Sequence, residues 1–165
     1  MWFFVEQGGK KRGKMFRGVN AVTLDSKGRM AIPTRYRAQL THACNGQMVL
    51  TVDRDHCLLL YPHPEWEEIE RKIMKLSSFN KQTRQLQRLL VGHATECELD
   101  GNGRILLAPP LREFAGLNKD VVLIGQGNKF EIWDEGVWNA RRSEWLESEG
   151  EGGDKLPPDL ESLSL

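Results

Sequence analysis

The sequence has no uninterrupted apolar run approaching the ~20 residues that a membrane-spanning helix requires. Its opening, MWFFVEQGGKKRGK, places apolar residues before basic ones and has no long apolar centre, so it does not read as a secretion signal. Only three cysteines occur, Cys44, Cys57 and Cys97, with no CxxC pair. An odd, scattered set indicates neither a disulfide framework nor a zinc site and fits a reducing compartment. GxSxG, P-loop and metal-ligand runs are also missing, and His42, His56, His63 and His93 share no spacing with a nucleophile. Enzymatic turnover, a metal, a cofactor, a small-molecule substrate and a membrane partner are therefore not expected, and the chain is expected to be cytoplasmic.

Net charge is missing too, since 23 basic residues face 23 acidic ones, but the balance hides an asymmetry. Residues 1–90 hold 16 Lys and Arg against 8 Asp and Glu, and residues 91–165 hold 7 against 15, so the halves are +8 and −8. A front half of that sign attracts phosphate, and an acidic rear aids solubility or meets a basic partner.

What the sequence does contain is itself, twice. A shift of 75 positions lays Asp25, Gly28, Arg29 and Arg37 on Asp100, Gly103, Arg104 and Arg112. With one gap, VLTVDRDHCLLLYPHPEW matches VLIGQGNKFEIWDEGVW further on. Each copy reads as an alternating strand (Val22, Leu24; Cys97, Leu99), an Asp-x-x-Gly turn, and an apolar strand (Met30–Ile32; Ile105–Leu107). That is the pattern of a hairpin whose glycine supplies positive φ. Proline then opens a short helix, Pro33 before TRYRAQL and Pro109–Pro110 before LREFA, the latter stopped by Gly116. A second strand pair follows in each copy, Met48–Val52 with Cys57–Tyr61 and Val121–Ile124 with Phe130–Trp133. Helical spacing of Trp66, Ile69 and Ile73, of Leu86, Leu89, Leu90 and His93, and of Val137, Trp138, Arg141 and Trp145 marks flanking helices. Some 45 residues per copy cannot enclose a sizeable core, so the two copies are expected to fold together with strands interleaved.

The string DGNG at Asp100–Gly103 resembles the middle of a calcium loop. Aligned on that template, however, the twelfth position, which needs a bidentate Glu, is Pro109, and the first copy offers Lys27 where an oxygen is required. What both copies share is Asp, Gly and Arg. Asp25 and Asp100 suit an Asx-turn, Gly28 and Gly103 shape the bend, and Arg29 and Arg104 stand at its exit. Each arginine could lock its loop by pairing with the aspartate four residues earlier, or display a guanidinium to phosphate or to guanine O6 and N7. Met15 to Leu40 carries Arg17, Lys27, Arg29, Arg35 and Arg37 against a single acid, which favours nucleic acid for the first copy. The second copy is less basic, with Asn102 in place of Lys27.

The doubled DxxGR loops, MFRG at Met15, PxRYR at Pro33–Arg37 and GHATECELDGNGRILLAPPLREFAGL at Gly92–Leu117 make the chain resemble the bacterial MraZ family from Met15 to about Trp145. That family is similar to the SpoVT/AbrB-like regulators, in which each repeat is half of a swapped-hairpin β-barrel. The resemblance implies an α+β fold, two half-barrel repeats forming one intramolecular swapped-hairpin β-barrel with flanking helices. It implies a transcriptional regulator, expected to repress, that binds double-stranded promoter DNA of the division and cell-wall gene cluster. It further implies association with the nucleoid and assembly into a homo-oligomeric ring. The DxxxR loop residues carried over are Asp25, Lys27 and Arg29, then Asp100, Asn102 and Arg104, with the basic ones and Asn102 in the DNA-binding role and the aspartates shaping the loops. Family members begin at the MFRG methionine, which sets residues 1–14 apart as an extension expected to be disordered or foreign to the native protein. The remaining boundaries are repeat 1 at 19–65, a helical linker at 66–93, repeat 2 at 94–137, a C-terminal helix at 138–148 and a mobile acidic tail at 149–165. A rival reading is an assembly adaptor that grips a protein partner through Trp66, Trp133, Trp138 and Trp145 without reading DNA.

Overall fold

A computed structural model describes residues 15–148, together with the backbone of residues 5–7 and 10–12 and residues 159 and 163. Within the extension, Val5–Gln7 (β1) pairs antiparallel with Lys10–Arg12 (β2). The rest of the extension, and the acidic tail apart from residues 159 and 163, lie outside the described residues. The chain divides into two compact units, residues 1–135 and 136–165.

The first repeat contributes β3 (Phe16–Thr23), β4 (Arg29–Ala31), α1 (Thr34–Cys44), β5 (Gln47–Val52) and β6 (Leu58–Pro62). After the linker helices α2 (His63–Met74) and α3 (Lys81–Leu86), the second repeat contributes β7 (Thr95–Glu98), β8 (Arg104–Leu106), α4 (Pro109–Phe114), β9 (Asp120–Gly127) and β10 (Lys129–Asp134). Helix α5 (Glu135–Ser148) supplies most of the described residues of the second unit, where Trp138 and Trp145 meet edge to face at 5.7 Å.

The order of the main sheet, β3-β9-β10-β6-β5-β7, interleaves the repeats. The first strand of each repeat pairs with the third strand of the other, β3 with β9 and β7 with β5, and the two last strands pair with each other, β10 with β6. The second strands leave this sheet and form a separate two-stranded ribbon, β4 with β8. The hairpin expected within each repeat therefore closes only at its turn. In the first repeat a single bridge, Leu24 to Met30, joins the two arms before they diverge to partners in the other repeat. Among the described residues no continuous ladder joins the ribbon to the six-stranded sheet as a closed barrel.

Burial follows this layout. The outer strand β3 alternates buried or half-buried with exposed positions, whereas β6 is buried at every position and β5 at every position after Gln47. A half-covered strand needs apolar side chains only at alternate residues, while one covered on both faces needs them throughout. The core runs through both repeats: Met30, Ile32, Leu40, Leu50 and Leu60 pack with Ile105, Leu107, Leu123, Phe130 and Ile132. Phe130 from the second repeat meets two rings of the first, Phe16 at a tilt at 4.3 Å and Tyr36 edge to face at 4.9 Å.

Proline opens α1 and α4, as the sequence indicates, and α1 ends at left-handed Asn45 with its last carbonyls capped by Asn45 and Gly46 N–H. The second linker helix keeps Leu86, Leu89, Leu90 and His93 half-buried, as their spacing implies, but not as one continuous α-helix. After Leu86 it widens into a π-helical turn, Gln87–Val91, in which Gly92 N–H reaches back five residues to Gln87 O. The extra residue per turn rotates Leu89 and Leu90 relative to an α-helical stripe, and both are half-buried.

Candidate nucleic-acid interface

The two Asp-x-x-Gly-Arg turns are built alike. Asp25 N–H donates to Arg29 O (3.0 Å) and Gly28 N–H to Asp25 O (3.0 Å); in the second copy Asp100 N–H donates to Arg104 O (2.9 Å) and Gly103 N–H to Asp100 O (3.0 Å). Both glycines are left-handed, with φ +81 at Gly28 and +72 at Gly103, a conformation that crowds a Cβ. Asp25 Oδ1 accepts from the Lys27 and Arg29 amides, both at 2.9 Å, and its Oδ2 from Arg29 Nε at 2.7 Å. Asp100 repeats the arrangement with the Asn102 and Arg104 amides (2.8 and 2.9 Å) and Arg104 Nε (3.2 Å). The Arg29 amide is the largest influence holding the Asp25 carboxyl down to about 2, reinforced by the Arg29 side chain and the Lys27 amide against partial desolvation. Asp100 is lowered chiefly by the Arg104 amide. Carboxylates so occupied by N–H donors are turn-formers rather than cation ligands.

Each arginine thus does locally what a lock would do, yet neither is sealed in. Arg29 pairs across the ribbon with Leu106 and Ala31 with Arg104, while Met30 and Ile105 between them point into the core. Strand alternation puts Arg29, Ala31, Arg104 and Leu106 on the opposite, outward face. The Arg29 and Arg104 side chains are 32% and 30% exposed, and Leu106 is 54% exposed. The guanidiniums converge on one carboxylate, because Arg104 Nη1 lies 3.8 Å from Asp25 Oδ2. Lys27 and Asn102 are exposed at the turn tips.

The other basic candidates lie elsewhere. Arg17 is exposed on β3, six residues or roughly 20 Å of extended chain before the strand's end. Arg35 sits beside it: its guanidinium lies over the Tyr36 ring at 4.7 Å and donates to Asn20 Oδ1, and Tyr36 Oη donates to Arg17 O. Arg17 and Arg35 therefore form a second basic spot, apart from the ribbon. Arg37 is half-buried, its Nε donating to Ile32 O at 2.6 Å. Its counterpart Arg112, for which the sequence reading had no role, donates Nε to Leu107 O at 3.0 Å. The 75-position shift that places Arg37 on Arg112 carries that correspondence. Leu106 was likewise overlooked, since only the ribbon's register shows that it shares a face with the arginines.

Two interleaved repeats that present a cationic two-stranded ribbon define a duplicated, β-ribbon-bearing α+β protein. The family model described as "MraZ protein, putative antitoxin-like" matches residues 15–89 and again residues 90–150, starting points 75 positions apart, as are the two loops. The chain belongs to the MraZ family. It is 62% identical over 152 residues to "Transcriptional regulator MraZ" of Methylococcus capsulatus, an alignment covering 92% of this chain and all of the relative. It is also 62% identical over 151 residues to the protein so named in Thioalkalivibrio sulfidiphilus and 55% identical over 152 residues to that of Salmonella paratyphi B, with the same coverage of both chains. These relatives are named as transcriptional regulators and not as enzymes.

Proposed function

We propose that this transcriptional regulator binds double-stranded promoter DNA by setting the outward face of the β4–β8 ribbon into a major groove, with Lys27, Arg29, Asn102 and Arg104 facing the bases and phosphates. The observation that carries the reading is the pair of arginines held by their Nε atoms to aspartates on an exposed, two-stranded ribbon. With Nε anchored, the remaining N–H groups of each guanidinium are pre-oriented, and such a fork suits guanine O6 and N7 or a phosphate. A β-ribbon of this width fits the major groove of B-DNA. Arg17 and Arg35 extend the basic surface toward flanking phosphates.

The interleaved repeats are read as the swapped-hairpin barrel of the AbrB-like regulators, and several protomers, joined in a ring, each offer one ribbon to regularly spaced short boxes. Individually weak contacts then add through effective concentration. On the family resemblance the target is the division and cell-wall gene cluster, the expected outcome repression, and the place of action the nucleoid in the cytoplasm.

A gel shift with upstream DNA carrying one, two or three boxes across a salt series tests this. Binding should strengthen steeply with box number and weaken with salt. Arg29→Ala should cost about 1–3 kcal/mol, roughly 5- to 150-fold in affinity. If that variant binds like the wild type, the ribbon is not the reading element. The adaptor reading starts from tryptophans, of which Trp66 and Trp133 are buried; the feature that favours it is instead Phe79, which is 94% exposed between α2 and α3. It would be favoured by a partner retained through nuclease and high salt.

A further inference from the structure

We propose that Arg37 and Arg112 are reciprocal positioning residues: each guanidinium rests on the tip glycine of the opposite repeat's loop, so that the two DxxGR turns are held as one reading head. The inference rests on the reading of the ribbon as the DNA-contacting element.

The contact is unusually close on both sides. A Cβ built on Gly103 would stand 2.3 Å from Arg37 Nε and 2.5 Å from its Cζ. One built on Gly28 would stand 2.6 Å from Arg112 Cζ and 2.7 Å from its Nε. Each glycine is thus needed twice, once for its left-handed backbone and once because a planar guanidinium occupies the space of a side chain. The same residues are tied through the backbone. Ile32 N–H donates to Gly103 O (2.9 Å) while Ile32 O accepts from Arg37 Nε, and Leu107 N–H donates to Gly28 O (3.0 Å) while Leu107 O accepts from Arg112 Nε. Arginine, strand exit and opposite tip therefore form a small closed circuit in each half. The circuits cross: the helix of repeat 1 fixes the turn that displays Asn102 and Arg104, and the helix of repeat 2 fixes the turn that displays Lys27 and Arg29.

This gives the less basic second repeat a definite part in the first loop's work, and it moves Arg37 from the contacting residues to the supporting ones. Its Nε is committed to Ile32 O, and its flat face is covered by a glycine. Lysine retains the charge but has neither a plane to stack nor a fork to hold the carbonyl.

The test compares Arg37→Lys, Arg37→Ala and Arg112→Ala in the full-length protein. In the absence of DNA, amide exchange should quicken across the chain's midline, at residues 101–104 for the Arg37 variants and at residues 26–29 for Arg112→Ala. Operator affinity should fall about 3- to 10-fold, less than the loss of a whole bidentate base contact, and lysine should not restore it. The slope of log affinity against log salt should be unchanged, since no phosphate contact is lost; loss of one would lower it by about 0.9. Rescue by lysine, or a reduced salt slope, would make Arg37 a phosphate contact and overturn the proposal. Quickened exchange confined to the mutated repeat's own loop would overturn it as well. Should Arg37→Ala fail to fold, Arg37→Lys, which keeps most of the apolar stem, carries the same comparison. If crossed exchange is seen while Arg29→Ala binds DNA normally, the DNA reading fails and the positioning role stands.

Discussion

Replacing Gly28 by alanine separates the two demands made on that position. The left-handed backbone at φ +81 alone should cost an alanine about 1–2 kcal/mol. The added methyl also meets Arg112 Cζ at 2.6 Å, far inside van der Waals contact, so the guanidinium must leave the turn and release Leu107 O. The obstacle is the far end of a flexible side chain, which can swing out, so this second cost is one net hydrogen bond and its packing, about 1 kcal/mol. The sum is about 2–3 kcal/mol. Two controls come from the same molecule. Gly127 has φ +77 in the β9–β10 turn with no heavy atom within 4 Å of its would-be Cβ, so Gly127→Ala should show the backbone cost alone. Gly101 has neither a positive φ nor a neighbour, and Gly101→Ala should fall within about 0.5 kcal/mol of wild type. Urea unfolding at fixed protein concentration, with the slope m shared among variants, reads all three. In an Arg112→Ala background the gap between Gly28→Ala and Gly127→Ala should close. A gap that is absent from the start, or that persists without Arg112, would refute the stacked guanidinium.

Other consequences follow from the same geometry. Asp25 and Asp100 have carboxyls lowered in the folded state, so their contribution to stability is complete above the ordinary carboxylate range and is lost as pH falls through the lowered values, about 2 for Asp25. Amide signals of residues 27 and 29 should therefore keep their folded positions at pH 4 and shift only below it, those of residues 102 and 104 should shift below the ordinary carboxylate range, and a shift of either pair centred near pH 5 would contradict the hydrogen-bonding assigned. Met30→Ala and Ile105→Ala, which empty fully buried sites beneath the ribbon, should each cost about 2–5 kcal/mol in urea unfolding, whereas Leu106→Ala on the outward face should leave the midpoint nearly unchanged. Burial raises the Cys57 thiol and pushes Cys97 up to about 12, so iodoacetamide at pH 8 should leave both unmodified in native protein and alkylate them in urea.

Much of the local structure was legible because each signal is short in range. Pro33 and Pro109 open their helices, and the glycines of the two DxxG turns take positive φ. The duplication was legible for another reason: fixed loop chemistry repeated at a fixed interval survives while the rest of the copies diverge. The π-helical turn at Gln87–Val91 was not, since its leucines fit an α-helical stripe equally well.

From residue order alone came two copies of a strand-turn-strand-helix unit and a basic DxxGR motif in the first, because turns and caps depend on neighbours a few positions away. Which strand pairs with which was settled only by tertiary structure, since β3 satisfies the same backbone donors and acceptors whether it meets β4 or β9. Joint burial of Met30, Ile32, Ile105 and Leu107 accompanies the crossed pairing. That exchange put Arg29 and Arg104 on one face, laid Arg37 and Arg112 on each other's loops, and left Arg17 and Arg35 some distance away.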